Sequence, residues 1–313
     1  MAAACNISAI GECMVELSPE PALGDAPVFR QGFAGDTLNT AWYLRALMPR
    51  TCAVRYVTAV GTDALSDQMV AFLADNGIDT GAIARRVDRT VGLYMISVTG
   101  GERSFTYWRA QSAARTLADD PARLEQALAG CRLAYLSGIT LAILSDPARE
   151  TLLGVLARFR VGGGLVAFDP NIRPVLWPDR AAMRDWITRG YATCDIAFPT
   201  YEDDAALFGD TTPEACGRRI SDLGAFEVVV KNGAAPVLLD AGGRQARIPQ
   251  PTVVKPVDTT AAGDSFNAGW LAARLTGACA TSAVTQGHAI AARVIRHRGA
   301  LMPMDAVRDY ATA

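Results

Sequence analysis

"RLAYLSGITLAILSDPARETLLGVLARFRVGGGLVAFDPN", residues 132–171, decides the architecture. A β-rich apolar run, "RLAYLSGI", is followed by a segment with the marks of a helix. Asp146-Pro147 opens it, because a proline in the first turn removes an amide that would lack a partner anyway, and Gly162–Gly164 stop it. A second apolar run, "LVAFDPN", then resumes the strand pattern. Strand, helix, strand in this order is the crossover that joins parallel strands.

The alternation continues downstream. "DRAAMRDWITRGYATC" at 179–194 reads as a helix and "DIAFPT" at 195–200 as a strand. "TPEACGRRISDLGA" at 212–225 is helical again, and "FEVVVKNG" at 226–233 is a strand. Such a series implies an α/β body with a mostly parallel central sheet flanked by helices on both faces. Residues 16–32 and 83–109 break the rhythm. "VGLYMISVTGGERSFTYWR" at 91–109 alternates apolar and polar residues around Gly100-Gly101, the mark of a β-hairpin. The expected organisation is one body spanning 1–313 with a small β-rich lid. No repeat, low-complexity tract or long linker interrupts it.

Bulk properties narrow the function classes. The 313-residue chain is 50% hydrophobic and 20% charged, with a net charge of −2, enough to bury a substantial core. No basic block favours a nucleic-acid or membrane-surface partner, and Lys231 and Lys255 are the only lysines. The start, "MAAACNISAIGECMVEL", has no basic leader and reads as a first strand, and no apolar run approaches the roughly 20 residues that cross a bilayer. Seven cysteines from Cys5 to Cys279 form no C-x-x-C pair, which suits free thiols in a reducing cytoplasm. His288 and His297 are the only histidines, which argues against a His-rich metal site or a Ser-His-Asp triad, and neither is given a catalytic role.

"VDTTAAGD" at 257–264 carries the chemistry. It precedes the helical pattern "SFNAGWLAARLTG", in the position where α/β sheets bind ligands. Ala261, Ala262 and Gly263 keep side-chain bulk away, so their amides can meet an anion at a helix N-terminus. Asp264, in the first turn, can accept a proton from an attacking alcohol while those amides neutralise a phosphoryl group. The alternative role of Asp264 is to cap its helix.

"DTTAAGDSF" resembles the C-terminal signature of the PfkB/ribokinase family of carbohydrate kinases, D-T-x-G-A-G-D-x-F, with Ala261 in place of the usual first glycine. The resemblance extends over essentially the whole chain and implies a ribokinase-like fold with a lid. It implies Asp264 as general base, residues 261–264 as the anion hole, and Asp258 as support for the site near the acceptor. It is nearest to the branch whose substrate is a sugar acid, 2-dehydro-3-deoxy-D-gluconate, phosphorylated by ATP at its terminal hydroxyl. "IGECMVELS" at 10–18 is similar to the first strand and turn of that branch. "FAGDTLNTAWYLRAL" at 33–47 fits the substrate loop and helix, where Gly35 lets backbone pass close to a ligand and Asp36 and Asn39 face sugar hydroxyls or cap the helix.

On "GLY" at 92–94 and "TYWRA" at 106–110, Arg109 offers a bidentate partner to the substrate carboxylate, and Tyr94 and Tyr107 a wall or a hydroxyl. "DPNIRPVLW" at 169–177 is also similar to that branch, which implies Asn171 and Arg173 at the nucleotide phosphates or the acceptor's end; Arg173 could instead pair with a neighbouring acid. "VVVKNGAAP" at 228–236 resembles the family's K-x-G turn beneath the nucleotide, which implies Lys231 and Gly233 there. Mg²⁺ travels with ATP in this family. Asp203 keeps a carboxylate where many members have N-x-x-E, although Thr200 replaces the amide; it holds the ion through water or serves as a helix-end charge. A fructokinase, a ribokinase or a non-catalytic sugar-acid sensor is the competing identity. The lid's edge strands leave a homo-oligomer open.

Overall fold

A computed structural model describes residues 6–23, 26–99, 102–250 and 254–311. Along the chain run β1 (Asn6–Ile10), β2 (Met14–Leu23), β3 (Ala26–Ala34), α1 (Asp36–Leu47), β4 (Val54–Val57), β5 (Ala59–Val60) and α2 (Ala64–Asp75). Next come β6 (Ala84–Arg85), β7 (Gly92–Thr99), β8 (Glu102–Trp108), α3 (Pro121–Leu128), β9 (Cys131–Ser137), α4 (Gly138–Ile143), α5 (Asp146–Val161) and β10 (Leu165–Asp169). The rest comprises α6 (Arg180–Thr193), β11 (Ile196–Ala197), α7 (Tyr201–Phe208), α8 (Pro213–Asp222), β12 (Glu227–Val230), β13 (Val237–Ala241), β14 (Arg244–Ile248), α9 (Ala262–Leu275), α10 (Ala280–Val294) and α11 (Met304–Ala311).

The expected α/β body is present. Eight strands pair in the order β14-β13-β12-β11-β10-β9-β1-β4. The pairings from β4 through β12 are parallel, and only β13 and β14 join antiparallel. Period-two alternation sends successive side chains to opposite faces. In β10, Ala167 joins one core with Leu38, Trp270 and Ile290, from α1, α9 and α10. Its neighbours Val166 and Phe168 join the other, with Leu152, Ile187 and Ile220 from α5, α6 and α8. Fully buried Phe168 meets Tyr191 edge-on at 5.5 Å, and Phe198 meets Trp270 at 5.3 Å. Each such side chain contributes roughly 1.5–3 kcal/mol by leaving water.

The 132–171 unit folds as its residues dictate, with two refinements. Ser145 caps α5, its hydroxyl accepting from the Ala148 amide at 3.4 Å, so Asp146 and Pro147 are first-turn residues. Between β9 and that cap lies the short helix α4, opened by a reciprocal Ser137–Thr140 capping box. The strand expected over 195–200 is only Ile196–Ala197, because Pro199 ends the ladder; Thr200 then bridges to Lys231.

A second sheet, β3-β2-β7-β8, forms the lid. It spans more than the expected 16–32, since β2 begins at Met14 and β3 reaches Ala34. The expected 83–109 segment divides: β6 pairs with β5 outside the lid, and only β7 and β8 enter it. Gly100-Gly101, the expected turn, lies outside the described residues. Gly242-Gly243 forms the hairpin turn between β13 and β14, both glycines at positive φ (59° and 77°), the backbone a two-residue turn requires.

No helix among the described residues is long and apolar enough to cross a membrane. Cys13, Cys131, Cys194, Cys216 and Cys279 are free thiols, Cys13, Cys194 and Cys216 of them buried, while Cys5 lies outside the described residues.

Candidate active site

The carboxyl ends of the parallel strands converge on one cavity of about 380 Å³. Glu12 follows β1, Asp169 ends β10, Lys231 follows β12, and α9 points its N-terminus at the same space. The lid lies across it with Tyr94, Phe105, Tyr107 and Arg109. Five carboxylates (Glu12, Asp36, Asp169, Asp203 and Asp264) line the cavity against three cations, Arg109, Arg173 and Lys231.

Asp264 sits in the first turn of α9, as expected, but it does not cap the helix. The N-cap residue is Ala261, at φ 62° and ψ 16°, and no side chain caps the end. The left-handed backbone at Ala261 turns the loop so that bare amides face the cavity. Ala261, Gly263 and Asp264 have amides without a hydrogen-bond partner among the described residues, whereas the Ala262 amide donates to the Thr259 carbonyl at 3.2 Å. The expected cradle of 261–264 therefore has one member already engaged.

Asp264 Oδ2 accepts from Asn39 Nδ2 at 2.8 Å. Burial, joined by the negative charges of Asp36 and Asp169, pushes the Asp264 carboxyl up to about 8, against the pull of Asn39 and Lys231. A carboxyl in that range can exchange a proton near neutrality, the property required of a general base. Asn39 lines the cavity at 5% exposure; its Nδ2 holds Asp264, and its Oδ1 has no partner among the described residues.

Asp169 organises the floor. Its Oδ2 accepts from Lys231 Nζ at 2.8 Å and from Asn267 Nδ2 at 2.6 Å, and its Oδ1 from the Asn171 amide at 3.0 Å. Lys231 Nζ lies 3.4 Å from where a Cβ on Gly263 would stand, which sets the ammonium beside the free amides. Neither Asp169 nor Asn267 was among the sequence candidates. The signal existed: an acid ending the strand "LVAFD", and an amide in the first helical turn after the signature.

Some expected residues take other positions. The Asn171 side chain donates to Asp36 Oδ2 at 2.8 Å and so ties β10 to α1 before it can reach a phosphate, and its backbone sits at the unusual φ of 32°. Asp36 Oδ1 accepts from the Thr37 amide at 2.9 Å, so both its oxygens are engaged. Gly35 lines the cavity and is also required by packing: a Cβ there would lie 2.2 Å from the Glu12 carbonyl oxygen. Asp258 does not line the cavity; it clamps the loop, accepting from the Thr260 amide and hydroxyl and from the Gly299 amide. Gly233 also lies outside the lining and turns the chain at φ 56°.

Arg173 is exposed at the cavity and donates only to the neighbouring Ile172 carbonyl at 2.9 Å; it forms no ion pair among the described residues. Asp203 lines the cavity in the first turn of α7, where burial raises its carboxyl and Arg173 pulls it back. On the lid, Tyr94 donates to Glu16, and burial with that carboxylate raises its phenol. Tyr107 lies tilted 5.8 Å from Tyr94 and stacks 6.3 Å from Phe105, an aromatic wall whose third member the sequence reading missed. Arg109 donates through Nη2 to buried Glu12. His288 packs edge-on against Phe266 at 5.2 Å, away from the cavity, and His297 is exposed.

A cleft with unpaired helix-end amides, a carboxyl that titrates near neutrality and a lid arginine is the equipment of phosphoryl transfer to an alcohol, and comparison with known proteins agrees. The pfkB family carbohydrate kinase model matches residues 5–306. The chain belongs to this family. A 2-dehydro-3-deoxygluconokinase of Dickeya dadantii is 43% identical over 96% of this chain and 98% of its own length. Among solved structures, a PfkB protein from Polaromonas sp. JS666 superposes with a TM-score of 0.82 at 29% identity, covering 97% of this chain and 99% of that one. A putative ribokinase II from E. coli, in complex with ATP and Mg²⁺, gives a TM-score of 0.82 at 25% identity, covering 99% of both chains. The ribokinase-like fold and lid implied by the family signature are those found.

Proposed function

We propose that the protein transfers the γ-phosphoryl group of ATP to the terminal C6 hydroxyl of 2-dehydro-3-deoxy-D-gluconate, giving its 6-phosphate. The observation that carries the proposal is the meeting, in one cavity, of Asp264 with the free amides of the α9 N-terminus and with Arg109 of the lid. The near relative's activity supports the substrate.

Asp264 takes the proton of the attacking hydroxyl, held in place by the Asn39 amide. The amides of Ala261, Gly263 and Asp264, with Lys231 beside them, stabilise the negative charge on the transferring group. Arg173, which lines the same cavity and is free of ion pairs among the described residues, adds positive charge for the transferring group. Arg109 receives the sugar acid's carboxylate and the Tyr94–Tyr107 wall covers its carbon chain. The lid excludes water, which otherwise competes as the acceptor.

An oxygen-rich lining with an acidic excess suits Mg²⁺, a hard cation that keeps much of its own water. Asp203 would hold it, directly or through water, since burial raises that carboxyl and a cation would relieve the cost. When bound, the ion neutralises phosphate charge.

A cytoplasmic location accords with the free thiols, and the exposed Phe29 and Trp108 of the lid offer surface for a second copy. The deciding experiment is a panel of aldonic acids and neutral sugars with ATP, followed by ADP release. Turnover confined to fructose or ribose, or ligand binding without ADP, would refute the proposal.

A further inference from the structure

Glu12 has no part in the mechanism above. It follows β1 at the carboxyl edge of the sheet, is 2% exposed and lines the cavity. Its Oε2 accepts from Nη2 of Arg109, the residue assigned to the substrate carboxylate. The contact is incomplete on both sides, for Glu12 Oε1 and Arg109 Nε are each buried without a hydrogen-bond partner. A guanidinium and a carboxylate fit best through two parallel bonds, and buried polar groups left unpaired are costly. A side-on pairing would set Nε on Oε1 while Nη2 stays on Oε2. Both orphans are then satisfied, and Nη1 with the outer edge of the fork is left to face the cavity.

The surroundings leave Glu12 little freedom. A Cβ on Gly92 would come within 2.8 Å of Oε1 and 3.3 Å of the Arg109 Cβ, while Gly35 packs on the Glu12 carbonyl. Four other carboxylates line the cavity and compete for an unanchored guanidinium. A buried acid beside an anion-binding arginine weakens attraction for the anion. Its value must therefore lie in orientation.

We propose that Glu12 is a positioning residue that fixes the Arg109 guanidinium side-on, so that its free edge meets the carboxylate of the sugar acid. The inference rests on the substrate assignment above, and wild-type kinetics separate the two. A wild-type enzyme inert toward the sugar acid overturns that assignment and this inference together. With an active wild type, the test is steady-state kinetics of Glu12→Gln, Glu12→Ala, Arg109→Ala and the Glu12→Gln/Arg109→Ala pair, alongside thermal melts.

Glu12→Gln should raise KM for the sugar acid by about 10-fold, the scale of one charge-assisted hydrogen bond. The alanine variant should raise it further, with kcat and the KM for ATP nearly constant in both. In the Arg109→Ala background the glutamine change should add almost nothing, since the group it orients is gone. A full additional KM penalty in that background overturns the inference. So does a fall in kcat and melting temperature with KM unchanged, the signature of a merely structural acid.

Discussion

Replacing Asp264 with asparagine should stabilise the fold while disabling the enzyme. The Asp264 carboxyl is pushed from 3.8 up to about 8 in the folded protein. A raised carboxyl means that the folded state prefers the proton. As pH rises through the acid range, the unfolded chain ionises first and gains a stability that the native state cannot match. The resulting loss grows between about pH 4 and pH 8 and is constant above, where both states are ionised. Taken at face value, the shift is worth roughly 6 kcal/mol. The carboxyl opens on a water-accessible cavity and interacts with Asp36 and Asp169, so we discount this to about 2 kcal/mol.

For a chain of this length, that corresponds to a melting-temperature difference of about 3 °C. Melts of nucleotide-free wild type and Asp264→Asn across pH 4–9 should diverge along this course, the variant being the more stable above pH 5. Asparagine retains the partner for Asn39 and can also donate to its unpaired Oδ1. Turnover of the same variant should fall by about 10²–10⁴-fold, the scale of general-base loss. A pH-independent difference, or a less stable variant, would refute the electrostatic account. Near-normal turnover would demote the residue to a structural acid.

Other outcomes follow from the same geometry. Arg109→Ala should raise KM for the sugar acid about 10–100-fold and leave that for ATP nearly unchanged, since one charge-assisted pair is lost; equal changes in both would remove the carboxylate argument. Lys231→Met leaves Asp169, at 3% exposure, without its cation, and should cost about 3 kcal/mol in urea titrations. The Asp169→Asn/Lys231→Met pair should recover most of that stability but not the activity. Ala261→Gly should retain activity and add up to about 1 kcal/mol, because glycine adopts the left-handed backbone without strain. Ala261→Val should lose both activity and stability. For the free enzyme, kcat/KM should climb with pH toward an apparent pKa near 8, as Asp264 ionises.

Periodicity made the body legible because parallel strands buried on both faces read as apolar runs, and helices between them must cover both cores. "RLAYLSGI" and "LVAFDPN" became β9 and β10 with little adjustment. Short elements were harder to read: α4 hides in an apolar run, and the strand expected over 195–200 shrinks to the two residues of β11. At the site, the signature located Asp264 and the free amides. Local sequence did not reveal which side chains already had partners. Asn171 is tied to Asp36, and Arg109 to Glu12, across separations of 135 and 97 residues. Such pairings arise from the sheet bringing distant strand ends together, so spacing along the chain carries no trace of them. Asp258 shows the same limit: its place in the signature suggested the acceptor, whereas its oxygens fasten the loop to Gly299.

Gly35 is the only residue between the last position of β3, Ala34, and the first of α1, Asp36. No slack exists at that joint, and the glycine is wedged against the Glu12 carbonyl. The roof and the phosphorylation machinery are thus geared together: a shift of the strand drives the helix whose Asn39 steadies Asp264. Grafting a different lid onto this body would consequently detune the proton acceptor as well as the choice of sugar.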